Sequence, residues 1–180
     1  MKRRTWFQLT FLVVMALALV MVNVGEGGSP ALDQRAQVGL HITPLPMNLN
    51  GANKEQVGLG SYLVNSAGNC NDCHSAQWFA AGGNPFLGQQ EEIDQATYLT
   101  GGRSFGPTIS RNLRPEIGTG LPAGLTSAQF LNAMTIGTDY DNPGQLLQVM
   151  PWPYFHDMTD QDIKAIYAYL STLPAVPPGG

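Results

Sequence analysis

The sequence predicts an all-α domain of short helices, and three observations carry this. Residues 160–173 read as an amphipathic helix. Thr159 is its N-cap, Asp160 and Asp162 lie in the first turn, and Ile163, Ile166, Tyr167 and Leu170 fall at i, i+3, i+4 and i+7. A second helix opens at Thr126, with Gln129 three residues on as a capping box, and stops near Gly137. Such helices, joined by loops drawn from 21 Gly and 13 Pro, bury little by themselves. The third observation supplies the missing apolar mass. Cys70-Asn71-Asp72-Cys73-His74 holds the only two cysteines of the 180 residues, with the C-x-x-C-H spacing that attaches a c-type haem.

Two thiols held three residues apart can each add to one of two vinyl groups along a porphyrin edge, and the next residue then offers an imidazole to the iron. Cys70 and Cys73 are therefore the thioether anchors and His74 the axial ligand. Other uses of this spacing lack support. A thioredoxin-like pair belongs beside a βαβ pattern, and no strand-like run adjoins the motif. Structural zinc wants four ligands, and the remaining histidines, His41 and His156, are distant in sequence. A disulfide across so short a loop would staple little.

Ahead of the domain, residues 1–28 read as a signal peptide or an N-terminal membrane anchor. Lys2, Arg3 and Arg4 precede an apolar run at 6–24, about 28 Å long as a helix. The basic head would stay in the cytoplasm and the rest would be exported. Residues 29–53, with Thr43-Pro44-Leu45-Pro46, read as an extended linker or wrapping arm. His41 and Met47 lie in it and are read as surface residues. The haem domain is expected over 54–175, with 176–180 as a tail. Its first helix spans 54–67, where Val57, Tyr62, Leu63 and Val64 form a partial apolar stripe. Gly58 and Gly60 lower its helicity and suggest a close backbone approach. Residues 89–100 read as a solvated loop around Glu91, Glu92 and Asp94, and 110–116 as turns.

The iron needs a sixth ligand or an open position. Met134 lies on the apolar side of its helix, where packing is its expected job, and Met158 occupies a staple position before the last helix. Met150 precedes Pro151-Trp152-Pro153, whose prolines stiffen the loop and favour extended backbone at Met150. A rigid loop presenting a thioether suits a ligand, so Met150 is the choice.

Taken together, several pieces resemble class I monohaem c-type cytochromes, in particular the cytochrome c subunits of bacterial membrane-associated dehydrogenases. They are Gly60-x-Tyr62-Leu63, Gly68-Asn69-Cys70-x-x-Cys73-His74, Ser110-x-Asn112-Leu113-x-Pro115-Glu116, Met150-Pro151-Trp152 and the segment 158–170. The resemblance implies a class I cytochrome c fold, with the first and last helices crossing where Gly60 and Tyr62 meet Tyr167 or Leu170. It also implies Met150 as distal ligand. Pro85, eleven residues after His74, matches the family proline whose carbonyl accepts the histidine ring N–H. Where the family often has Trp, this chain has Leu125.

The expected function is single-electron transfer by one covalent haem c with His/Met ligation, in a bacterial respiratory or dehydrogenase chain, with no bond chemistry of its own. Arg103, Asn112 and Trp152 are candidates to meet the propionates. An alternative is a dedicated electron-accepting subunit of a membrane dehydrogenase. An open-iron haem enzyme or gas sensor, with His156 as distal residue, is a third reading that the Met-Pro-Trp context disfavours. Three of the nine bases and one of the thirteen acids lie in residues 1–28, which leaves six bases against twelve acids, a formal charge of −6. That excludes nucleic acid as a natural partner and favours redox proteins with basic patches. The expected location is the periplasm or the outer face of the cytoplasmic membrane.

Overall fold

A computed structural model of the chain describes residues 33–179. The leader or anchor expected at 1–28 lies outside the described residues, as does the start of the linker. Among the described residues there are six α-helices and one two-stranded ribbon. No helix among them is long and apolar enough to cross a membrane.

The first helix, α1 (Gln34–Ile42), sits where an extended linker was expected. Asp33 starts it, its Oδ1 accepting the Arg35 N–H at 2.7 Å. At nine residues it is too short to be stable alone, and tertiary contact compensates. Gly39 lies so close to Gly58 of α2 (Lys54–Tyr62) that a Cβ at either would collide with backbone of the other helix. The Ser61 hydroxyl donates to the Gly39 carbonyl at 2.7 Å across this contact. Only residues 43–53 behave as the wrapping arm. Leu45 is buried, and Asn48 N–H donates to the Thr172 carbonyl at 2.8 Å. His41 is exposed, whereas Met47 packs against the core.

Asn53 caps α2, which continues through 63–67 as a wider π-helical turn. The helix at 160–173 is observed as α6 (Asp160–Ser171), with Thr159 as its cap. The two helices cross at Gly60, where a Cβ would strike the Ala165 carbonyl and the Tyr169 side chain. The atoms nearest Gly60 across the crossing thus belong to Ala165 and Tyr169. Tyr167 turns the other way, donating its hydroxyl to the Leu125 carbonyl at 2.9 Å and setting its ring edge against Phe130. Leu125, in the place of the family tryptophan, is itself buried.

Between α2 and α6 lie α3 (Cys70–His74), a 3-10 turn (Pro85–Leu87) and β1 (Ser104–Phe105) paired with β2 (Thr108–Ile109). Next come α4 (Ser127–Ile136), which has the expected capping box and Gly137 stop, and the short α5 (Trp152–Phe155). Residues 89–92 are exposed as a solvated loop should be, but Tyr98 and Leu99 are fully buried. The Tyr98 and Tyr169 hydroxyls meet at 2.9 Å, so a loop side chain completes the core against α6. The tail also differs from expectation. Val176 N–H donates to the Pro115 carbonyl at 2.9 Å, and the Gly179 carbonyl accepts from Asn112 N–H at 3.0 Å.

Candidate functional site

Asn69 takes the left-handed conformation (φ 43°, ψ 49°), which few side chains tolerate as well as asparagine, and turns the chain into α3. One helical turn then sets Cys70, Cys73 and His74 along a single cavity of about 620 Å³. This volume falls within the roughly 300–1,000 Å³ of ordinary cofactor sites. Leu113, Leu125, Phe130 and Ile166 contribute apolar wall, and Met150 lines the same cavity. Both cysteines are free of disulfide. Two thiols, an imidazole, a thioether and an apolar enclosure are the donor set and surroundings that a haem c requires, so the residues present fit the group. Among the described residues no three His, Cys, Asp or Glu side chains assemble as an ion site of their own.

Burial shapes the three groups of the motif. It pushes the Cys70 thiol up to about 12, with the neighbouring Cys73 adding to the rise. The Cys73 thiol is also raised, by burial and then by Asp72, against an opposing pull from Arg103. Burial lowers the His74 imidazole, partly offset by the Arg111 carbonyl. That carbonyl lies 2.8 Å from His74 Nδ1. A ring N–H donated there leaves Nε2 unprotonated, the form that binds a metal.

The acceptor is thus Arg111 and not Pro85. Residues 84–88 close on themselves: the Asn84 side chain accepts the Phe86 N–H at 3.0 Å, and the Pro85 carbonyl accepts from Gly88 at 3.0 Å. Pro85 is left exposed. The sequence did flag the segment that holds the true acceptor, since Arg111 is the variable position in Ser110-x-Asn112-Leu113.

None of the three residues expected at the propionates lines the cavity. Arg103 Nη1 donates to the Asp72 carbonyl at 2.6 Å and approaches its carboxylate at 3.3 Å. Asn112 is fully buried with its amide committed, Oδ1 accepting from Arg114 N–H at 2.9 Å and Nδ2 donating to the Arg114 carbonyl at 3.1 Å. It holds the backbone beside Arg111 instead. Trp152 Nε1 donates to the Leu147 carbonyl at 3.1 Å, and the indole covers Gly137. Polar groups that do line the cavity include Ser110, Arg111, Tyr140, Gln145 and Gln148. Only Arg111 among them is a cation, and its Nη2 pairs with Asp141 at 2.7 Å.

Two of the three candidate methionines, Met134 and Met150, line the cavity. Met150 is half-buried and lines the cavity, whereas Met158 packs on the core outside it. Met134 is buried in the core and also contributes wall. His156 is exposed, its Nδ1 2.7 Å from the Thr135 carbonyl, and does not line the cavity.

No family model matches the chain. Over 145 residues, 76% of its length, it is 33% identical to the cytochrome c subunit of a quinone alcohol dehydrogenase from Gluconacetobacter polyoxogenes, and covers 27% of that protein. Over 118 residues, 66% of its length, it is 34% identical to the cytochrome c subunit of gluconate 2-dehydrogenase from Pantoea cypripedii, and covers 23% of it. The cytochrome subunit of fructose dehydrogenase from Gluconobacter japonicus is 30% identical over 125 residues, 67% of this chain and 22% of that protein. The chain thus spans about a quarter of the length of these relatives, and over that stretch it resembles the cytochrome c subunits of bacterial dehydrogenases.

Proposed function

We propose that this chain is a one-electron carrier that takes electrons from a dehydrogenase, with one haem c anchored at Cys70 and Cys73 and ligated by His74 and Met150. The observation that carries the reading is the single apolar cavity shared by both thiols, the imidazole and the Met150 thioether. When bound, the haem supplies an Fe(III)/Fe(II) couple. The chain's own residues hold it and set its properties. The Arg111 carbonyl fixes the tautomer and orientation of His74 and raises its basicity. A thioether from Met150 favours the reduced state and so raises the potential. Leu113, Leu125, Phe130 and Ile166, which line the cavity, would exclude water from a bound haem and so limit reorganisation when its charge changes.

The similar proteins are named as cytochrome subunits of alcohol, gluconate and fructose dehydrogenases. That favours a dedicated dehydrogenase subunit over a freely shuttling carrier. The basic head and apolar run at 2–24 support a place in the periplasm or on the outer face of the cytoplasmic membrane. Optical spectra of the oxidised and reduced protein, with and without carbon monoxide, test the assignment. A thioether–iron charge-transfer band in the oxidised form and no shift with carbon monoxide are expected. Rapid carbon monoxide binding would point to an open iron and overturn the carrier reading.

A further inference from the structure

A second cleft, of about 580 Å³, is lined by residues that follow the haem motif in sequence, from Ala76 to Gln89, together with Arg103. Trp78 and Phe79 stack with centroids 4.6 Å apart, and Phe86 closes on them at 5.8 and 6.3 Å. With Leu87 these rings wall the cleft, and none of the four belongs to the hydrophobic core. Phe86 is 78% and Leu87 72% exposed. Large apolar side chains gathered in this way mark a contact surface more often than isolated exposed ones do.

The cleft is built rather than loose. Ala80 N–H donates to the Glu92 carbonyl at 2.9 Å and Asp94 N–H to the Trp78 carbonyl at 3.2 Å, pairing the aromatic segment with 92–94. Asn84 holds the turn bearing Phe86 and Leu87, as described above. Arg103 also lines the cleft, while its guanidinium bonds the Asp72 carbonyl between the two cysteines. The aromatic wall begins four residues beyond His74, and Arg103 lines the same cleft while bonding the motif's backbone.

The same pairing brings an acidic edge to this apolar centre. Glu91 and Glu92 are exposed, Asp94 is half-exposed, and none of the three enters the ion pairs found among the described residues. Charge then discriminates between occupants. Arg103, the cation lining the cleft, is paired with Asp72, so a second copy of this face would set unpaired acids against unpaired acids, and an anionic lipid surface would be repelled in the same way. A protein with an apolar centre and a basic rim satisfies both parts.

We propose that the cleft formed by Trp78, Phe79, Phe86 and Leu87 is the docking face for a protein redox partner that presents an apolar knob within a ring of lysine or arginine. This rests on the electron-transfer reading, and the test separates the two. The full haem-loaded chain would be mixed with a lysine-rich cytochrome c as probe, and electron exchange followed by stopped flow across ionic strength. A neutral hydroquinone, which needs no docking, serves as the reference reductant.

Phe86→Ser with Leu87→Ser should slow exchange with the probe about tenfold at every salt concentration, since it removes the buried centre. Glu91→Gln with Glu92→Gln should slow it several-fold at low salt only, converging on the native rate as the charges are screened. Hydroquinone reduction should be unchanged in both. Native rates with the probe in both double variants, while hydroquinone reduction is normal, would overturn the docking face and leave the carrier intact. Failure of the native protein to accept electrons from hydroquinone would instead sink the carrier reading. A dimer in sedimentation that Phe86→Ser with Leu87→Ser abolishes would assign the face to a second copy and overturn the proposal, and so would binding to zwitterionic vesicles.

Discussion

The two sides of the cavity are held very differently. On the His74 side backbone bonds tie distant segments of the chain together. Gly101 N–H donates to the His74 carbonyl at 2.8 Å, Leu99 N–H to the Ser75 hydroxyl at 2.8 Å, and Leu113 N–H to the Leu99 carbonyl at 2.9 Å. Asn112 and the tail at Gly179 tie down the strand that carries the Arg111 carbonyl. On the Met150 side, residues 141–146 are exposed. That loop is held mainly by bonds within itself: the Asp139 carboxylate, Asp139 N–H to the Gln145 carbonyl at 3.1 Å, Leu147 N–H to the Gly137 carbonyl at 2.8 Å, and the Trp152 indole. Among the described residues, the ion pair that joins it to the opposite side is Arg111–Asp141. One ligand is thus embedded in a bonded layer, and the other rides on a loop that can open locally at little cost.

The largest effect expected from this comparison is on the embedded side. Replacing Cys70 and Cys73 with Ala should abolish covalent haem and leave a poorly folded chain, because the helices bury too little without it. Haem that survives acid–acetone extraction from this variant would break the assignment.

Met150→Ala should retain covalent haem but lose the thioether–iron band and bind cyanide quickly. Met158→Ala should do neither and cost only packing. The reverse pattern would move the ligand to Met158 and erase the contrast between the two sides.

Asn112→Ala tests how far the embedded side depends on one amide. It strands the buried Arg114 N–H and should cost about 1–3 kcal/mol in denaturant unfolding. Asp141→Asn, which breaks an exposed pair on the loop side, should cost at most about 1 kcal/mol. Equal costs would show that the two sides are equally constrained.

The smallest expected effect is with pH. Burial, the largest single influence on the Asp139 carboxyl, raises its pKa. The side-chain and backbone bonds from Asn142, the Asp141 N–H and the nearby Arg111 together outweigh it, so the net shift is downward. A carboxyl lowered in the fold adds stability above its unfolded value, about 3.9, which is lost as pH falls through the folded value. The thioether–iron band should therefore fade reversibly below about pH 4, and Asp139→Asn should remove that step. A band unchanged down to pH 2, with the protein still folded, would show that this loop does not depend on the carboxylate.

Local chemistry made much of this protein legible in one dimension. The Thr126 capping box, the Thr159 cap and the apolar stripe of α6 each depend on residues within one or two turns of one another, and all stand in the structure as read. What the sequence could not decide was which distant backbone each segment would meet. The short α1 helix packs onto α2 through the Gly39–Gly58 approach, a contact between segments 19 residues apart that neither one specifies alone. Tyr98 and Leu99 sit in a stretch that reads as polar loop, and they are buried because Tyr169 and the Leu113 strand close over them. The His74 acceptor was misplaced for the same reason. A carbonyl accepts a hydrogen bond whatever its side chain, so no residue type at 85 or 111 could mark it, and only the packing of the 110–116 turns against α3 brought Arg111 to His74.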